Sequence, residues 1–203
     1  GKVRVYQNLH GNWIPLGSEI SGLSSYDEFG YSISLNNSGD ILAIGARSHN
    51  NAIPYTIIYF WDGVNWNQMG STIFGLYDTD FGASVSLSDD GLIIAIGAPQ
   101  SDGNGINSGQ VRIYGFDGSS WTQLGQDIDG EAYGDQSGTS VSLSGNGTIV
   151  AIGAPDNDPN GIQNAGHVRV FQYNGISWVQ LGQDIDGIAA YDQFGYSVSL
   201  SGD

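Results

Sequence analysis

The side chains best suited to chemistry in this chain are acids and amides in loops. The segment Asp156-Asn157-Asp158-Pro159-Asn160-Gly161-Ile162-Gln163-Asn164 sets oxygen donors at alternate positions, a glycine sixth and a backbone carbonyl, that of Ile162, seventh. A short loop wraps calcium with oxygens in that order, typically about 6–8 of them. Asp156, Asp158, Asn160, Ile162 and Asn164 are therefore the candidate calcium ligands, and calcium is the one cofactor the sequence suggests. The loop is poor in carboxylates and no bidentate glutamate follows it. An asparagine- and glycine-rich turn bonded to its own backbone is the competing reading. Two N-x-[ST] sequons, Asn36-Asn37-Ser38 and Asn146-Gly147-Thr148, place candidate glycan acceptors at Asn36 and Asn146. Trp61 lies outside the spacing of the other four tryptophans and is the candidate for stacking on a ligand.

Catalytic constellations are scarce. Paired acids recur in Asp127-Ile128-Asp129-Gly130 and Asp184-Ile185-Asp186-Gly187, and Asp27, Asp78, Asp135 and Asp192 follow at similar places. Paired carboxylates can serve acid–base catalysis, but acids repeated along a chain are expected to be structural. The histidines, His10, His49 and His167, share no zinc spacing, and no H-E-x-x-H, G-x-S-x-G or phosphate-cradling loop occurs. With no cysteine in the sequence, thiolate catalysis and disulfides are excluded. An enzyme is not expected.

The elements that must carry these loops are written in a repeat. Trp13, Trp66, Trp121 and Trp178 are 53, 55 and 57 positions apart by subtraction. Each period holds four strand-like runs. In the clearest copy these are an alternating Ser84-Val85-Ser86-Leu87-Ser88, a continuous apolar Leu92 to Ala98, then Val111-Arg112-Ile113-Tyr114, and a run from Trp121 to Leu124-Gly125. A period of two marks a strand with unlike faces, and a continuous apolar run suits one covered on both. Asn37-Ser38-Gly39-Asp40, Asp89-Asp90-Gly91 and Gly145-Asn146-Gly147 join the first pair of runs as hairpin turns, and Asp117-Gly118 or Asn174-Gly175 the second pair. No window has helical spacing. Four antiparallel strands in a period of about 40–60 residues point to an all-β fold of propeller blades. The blades span 29–70, 81–125 and 137–182, with partial blades at 1–17 and 194–203, within one segment, 1–203. The phase predicts an excerpt of a larger ring or array. A tryptophan at a fixed place in each blade is expected to pack, its N–H satisfied by a neighbour. Arg4, Arg112 and Arg169 share one repeat position, taken by Ile57 in the first blade, and are expected to pair with acids of the blade connections.

Composition narrows the partners. The 203 residues are 39% hydrophobic and 13% charged, which suits a packed domain rather than a disordered one. A net charge of -16 disfavours nucleic acid and anionic lipid, which need a cationic footprint. No apolar run is long enough to span a membrane as a helix.

Phe81-Gly82 with Gly97-Ala98-Pro99, Gly153-Ala154-Pro155, Phe29-Gly30 and Phe194-Gly195 resemble the FG-GAP repeat of integrin-α-like propellers. The likeness runs through essentially the whole chain and is similar to the long repeat arrays of extracellular surface proteins. It implies a non-catalytic structural or adhesion module at the cell surface, with a glycan-binding, lectin-like propeller or a non-catalytic domain of a secreted hydrolase as alternatives. Self-association or neighbouring repeats of the same chain, glycans and other surface proteins are the partners implied. One departure stands out. The family's aspartate-rich calcium loop, between FG and GAP, is replaced here by short hairpins too poor in carboxylates to hold calcium.

Overall fold

Tight turns and alternating strands fold this chain into three similar antiparallel sheets. The computed structural model describes residues 1–47 and 52–202, so His49 and Asp203 lie outside the described residues. In the first sheet Ser32–Leu35, Ile41–Ala46, Tyr55–Trp61 and Trp66–Gln68 lie side by side in chain order. The second repeats the order with Ser84–Leu87, Ile93–Ala98, Gln110–Phe116 and Trp121–Gln123. The third has Ser140–Leu143, Ile149–Ala154, His167–Tyr173 and Trp178–Gln180. These sheets are blades of an all-β propeller fold. Ahead of them, the hairpin Tyr6–Leu9 with Asn12–Pro15 and the pair Lys2–Val3 with Ile20–Ser21 reproduce the outer part of such a blade.

Local chemistry explains the turns. Gly39, Gly91 and Gly147 sit at φ of 73°, 71° and 70° in the first hairpin of each blade, a region that favours glycine. Asp117 Oδ1 accepts the backbone N–H groups of Ser119 and Ser120 and closes the second hairpin of its blade. Each blade also has a short strand that the sequence reading missed. Ile73–Phe74, Ile128–Asp129 and Ile185–Asp186 fold back onto the start of the third strand of their own blade. The fourth strand pairs only with the end of that third strand, which leaves an edge for the returning chain to cover. A single 3-10 turn, Pro159–Gly161, is the one helical element among the described residues.

The cores straddle blade boundaries. One joins Ala43 and Ile58 of the first blade to Val85, Leu87, Ile94, Ile96 and Trp121 of the second. Another joins Ala95, Val111 and Ile113 of the second to Val141, Leu143, Ile152 and Trp178 of the third. Burying one such side chain is worth about 1.5–3 kcal/mol, so a blade gains much of its stability from the next.

The alternating serines serve the same contacts. Ser32, Ser84 and Ser140 each donate a hydroxyl hydrogen bond across the boundary, to the carbonyls of Gly82, Gly138 and Gly195, at 2.7, 2.8 and 2.7 Å. Ser34, Ser86 and Ser142 each accept the backbone N–H of the next copy's leucine, Leu87, Leu143 and Leu200, at 3.0, 3.0 and 2.9 Å. The approach is close enough to need glycine. A Cβ at Gly45 or Gly97 would stand 2.2 or 2.0 Å from the carbonyl oxygen of Gly82 or Gly138.

Candidate functional site

The loops at the start of the third strand and the connections between blades form one rim, where the blades differ most. On the third blade this rim holds the loop 156–164. The Asp156 carboxylate accepts amide hydrogens from Gln136 at 2.5 Å, Gln193 at 3.1 Å and Asn164 at 3.3 Å. Asp158 Oδ1 accepts the backbone N–H of Asn164 at 2.6 Å, and Asn160 Nδ2 donates to Asp186 at 3.3 Å. The Ile162 carbonyl accepts the N–H of Ala165 at 3.3 Å. Each of the five candidate ligands therefore has a hydrogen-bond partner. Gln136 and Gln193 come from the connections on either side of the blade, so Asp156 also ties those connections together.

Three of the tryptophans clasp the preceding copy, while Trp13 is exposed. The indole N–H of Trp66 donates to the Leu16 carbonyl at 2.9 Å, that of Trp121 to Met69 at 2.8 Å and that of Trp178 to Leu124 at 2.8 Å. Each acceptor belongs to the preceding copy's residue before Gly17, Gly70 or Gly125, which explains why the tryptophan and the Leu-Gly (Met-Gly in one copy) recur together. Trp61 belongs to the same arrangement. It lies opposite Trp66 as Phe116 lies opposite Trp121 and Tyr173 opposite Trp178. Its ring centroid is 5.4 Å from that of Trp66, and the other two pairs are at 5.1 and 5.2 Å. The structure thus puts Trp61 in the repeat register, on a half-buried aromatic pair.

The two sequons differ. Asn36 is buried, its amide nitrogen donating to Ser38 and Asp40 and its oxygen accepting the N–H groups of Asp40 and Ile41. Asn146 is exposed, and its oxygen accepts from Ser144, the Thr148 N–H and the Thr148 hydroxyl. The arginines meet the connections as their spacing suggested. Arg4 pairs with Glu19 at 2.6 Å and Arg112 with Asp127 at 3.2 Å. Arg169 reaches back to the preceding connection, donating to the Asp129 carbonyl at 2.7 Å and standing 3.7 Å from Glu131. Asp27, Asp135 and Asp192 cap the turn ahead of the Phe-Gly position by accepting the N–H of Ser24, Ala132 and Ala189. In the second blade Thr79 fills that place, and its hydroxyl donates to the Leu76 carbonyl.

One group on this rim was not foreseen. Glu131, His167 and Asp184 bring one donor atom each to within 4.8 Å of one another. They border a cavity of about 320 Å³ shared with Asn157, Asp158, Asn160 and Asp186. His167 is almost completely buried, and its Nε2 has no hydrogen-bond partner. Burial lowers the pKa of the imidazole and the positive Arg169 adds to this, while Glu131, Asp184 and Asp135 oppose it. Sequence spacing could not reveal the group, because Glu131 and Asp184 lie on opposite sides of His167 in the chain. The signal that could have is the register: Tyr55 and Gln110 stand in the other blades where His167 stands here.

The FG-GAP repeat profile matches residues 75–114, from the connection ahead of the second blade into its third strand. Those residues are an FG-GAP repeat. No curated protein matches the sequence. Among solved structures the fold is similar to a Bacteroides uniformis protein described as a 6-phosphogluconolactonase, with TM-score 0.62 and 12% identity over 95% of this chain and 53% of that one. Sqt1 of Saccharomyces cerevisiae aligns with TM-score 0.51 and 12% identity over 81% of this chain and 38% of its own. Hydrazine synthase of Kuenenia stuttgartiensis aligns with TM-score 0.50 and 9% identity over 82% of this chain and 38% of its own. At these identities the likeness is one of fold, and this chain spans about half or less of each. Around the FG-GAP repeat, Phe81 is packed in the boundary core and the Gly82 carbonyl receives Ser32 from the blade before. No helix among the described residues is long and apolar enough to cross a membrane.

Proposed function

We propose that the chain is a non-catalytic structural or adhesion module, a repeat segment of an extracellular surface or fibre-forming protein. One observation carries this reading. The residues that recur along the chain (Phe-Gly, Ser-x-Ser, Gly-Ala, Trp and Leu-Gly) sit at contacts between one blade and the next. Chemistry-bearing residues vary from blade to blade, as a scaffold with interchangeable rims requires. Neighbouring repeats, in the same chain or a second copy, are its first partners. Ile33 and Leu35 of the first blade are exposed at the positions where Val85, Leu87, Val141 and Leu143 are covered. Sedimentation of the chain over a wide concentration range tests this. Assembly that the pair of changes Ile33→Glu and Leu35→Glu weakens supports the reading. A chain that stays monomeric at every concentration, or variants that assemble like the parent, would contradict it.

A glycan-binding role has its own observation. Tyr26, Tyr77, Tyr133 and Tyr191 leave an exposed ring in each blade connection, and such rings stack on sugars. Binding on a glycan array that Tyr133→Ala abolishes would favour this second reading; no binding to any glycan leaves the structural one.

A further inference from the structure

We propose that Glu131, His167 and Asp184 form a binding site for a divalent transition-metal ion, with zinc as the ion its donors suit. One imidazole nitrogen and two carboxylates match the three protein ligands of open zinc sites, where water takes a fourth position. Calcium, which takes oxygen ligands, would not use the histidine.

Four observations carry the proposal. The three donor atoms already lie within 4.8 Å of one another. Zinc held at about 2.0–2.2 Å by each would need them only moderately closer, and Glu131 is exposed and held by contacts no shorter than 3.7 Å to Arg169 and 3.8 Å to His167. The second is the imidazole itself: His167 is 1% exposed, the nitrogen that faces Glu131 is Nδ1, 3.8 Å from Oε2, and the buried Nε2 lacks any hydrogen-bond partner, which normally costs stability. Residues at this position elsewhere do not share that defect. The Tyr55 hydroxyl donates to Asp27, and Gln110 donates to Asp129 at 2.7 Å.

The third observation is the register, which makes the other blades internal controls. The places of Glu131, His167 and Asp184 are taken by Leu23, Tyr55 and Thr72 around the first blade, and by Leu76, Gln110 and Asp127 around the second. Among the described residues only the third blade assembles an imidazole with two carboxylates, and propeller packing alone does not require it. The fourth is access, since the group borders a cavity of about 320 Å³. Arg169 opposes a cation here, with its guanidinium 3.7 Å from Glu131 and fixed on the Asp129 carbonyl. Asp158 and Asp186 line the same cavity and add two negative charges against it.

Titration calorimetry with Zn²⁺, beside NMR of the histidine ring nitrogens, tests the proposal on the folded chain. One zinc per chain is expected, with the His167 ring signals shifting and those of His10 and His49 unmoved. His167→Gln and Glu131→Leu install the second blade's residues and should each weaken binding at least about tenfold. Asp102→Asn, in the matching loop of the second blade, should leave it unchanged. Glu131 is exposed, so its variant answers the question even if His167→Gln fails to fold. Absence of stoichiometric binding, shifts spread over all three histidines, or equal affinity in Glu131→Leu would overturn the site.

Discussion

The boundary between the second and third blades and the leading face of the first blade are written with nearly the same residues and end differently. Val141 and Leu143 are 9% and 6% exposed, whereas Ile33 and Leu35, at the same repeat positions, are 58% and 49% exposed. The tryptophans follow suit, since Trp178 is 3% exposed and Trp13 69%. Local sequence is matched, so the difference comes from the neighbour. A blade does not cover its own first strand; the preceding blade does. This is the nearest-neighbour logic of repeat proteins, in which interface terms carry much of the stability.

Substitutions can break or sharpen that contrast. The largest effect is expected at the close approach of two backbones. Gly97→Ala would push a Cβ against the Gly138 carbonyl between two complete blades, and urea unfolding should show a loss of more than about 3 kcal/mol. Gly153→Ala meets the Gly195 carbonyl in the terminal segment, which has fewer neighbours to hold it, and should cost less. Next in size, Trp178→Ala should lose about 3–5 kcal/mol by the same measurement, and Trp13→Ala under about 0.5.

A smaller term depends on pH. Burial pushes the Asp27 carboxyl up, but hydrogen bonds from the Tyr55 hydroxyl, the Ser24 N–H, the Gly1 ammonium and the Phe29 N–H outweigh it and bring the pKa to about 2. A depressed folded-state pKa stabilises the fold above the ordinary carboxylate value of 3.8 and ceases to do so as pH falls through about 2. Thermal melts should therefore decline between about pH 4 and 2, by on the order of 2 kcal/mol, and Tyr55→Phe should flatten that limb. The smallest effect is predicted for Arg4→Met. Its ion pair with Glu19 is exposed and screened by water, so the thermal melt of the variant should overlie that of the parent.

Much of the scaffold was legible in the sequence because its signals are local. Period-two strands, the turn glycines at 39, 91 and 147, and the tryptophan beat each need only a few neighbouring residues. The short return strands were not legible, since Ile128–Asp129 has no pattern of its own and pairs only where the fourth strand stops. The alternating serines mark one face of a strand in the sequence, but that they hydrogen-bond across the boundary follows only from the next blade's position. Trp61 seemed outside the register because it stands where the other two complete blades have phenylalanine or tyrosine, ahead of the recurring tryptophan. The third-blade cluster was hidden for a related reason: its members come from two connections and a strand, and no spacing within one loop unites them.

The central claim, that a blade's recurring residues are there to hold its neighbour, is tested most directly by one matched pair. Leu143→Ala and Leu35→Ala make the same change at the same repeat position, one covered and one exposed. Urea unfolding should show a loss of about 2–4 kcal/mol for Leu143→Ala and under about 1 for Leu35→Ala. Equal losses at the two positions would contradict the account.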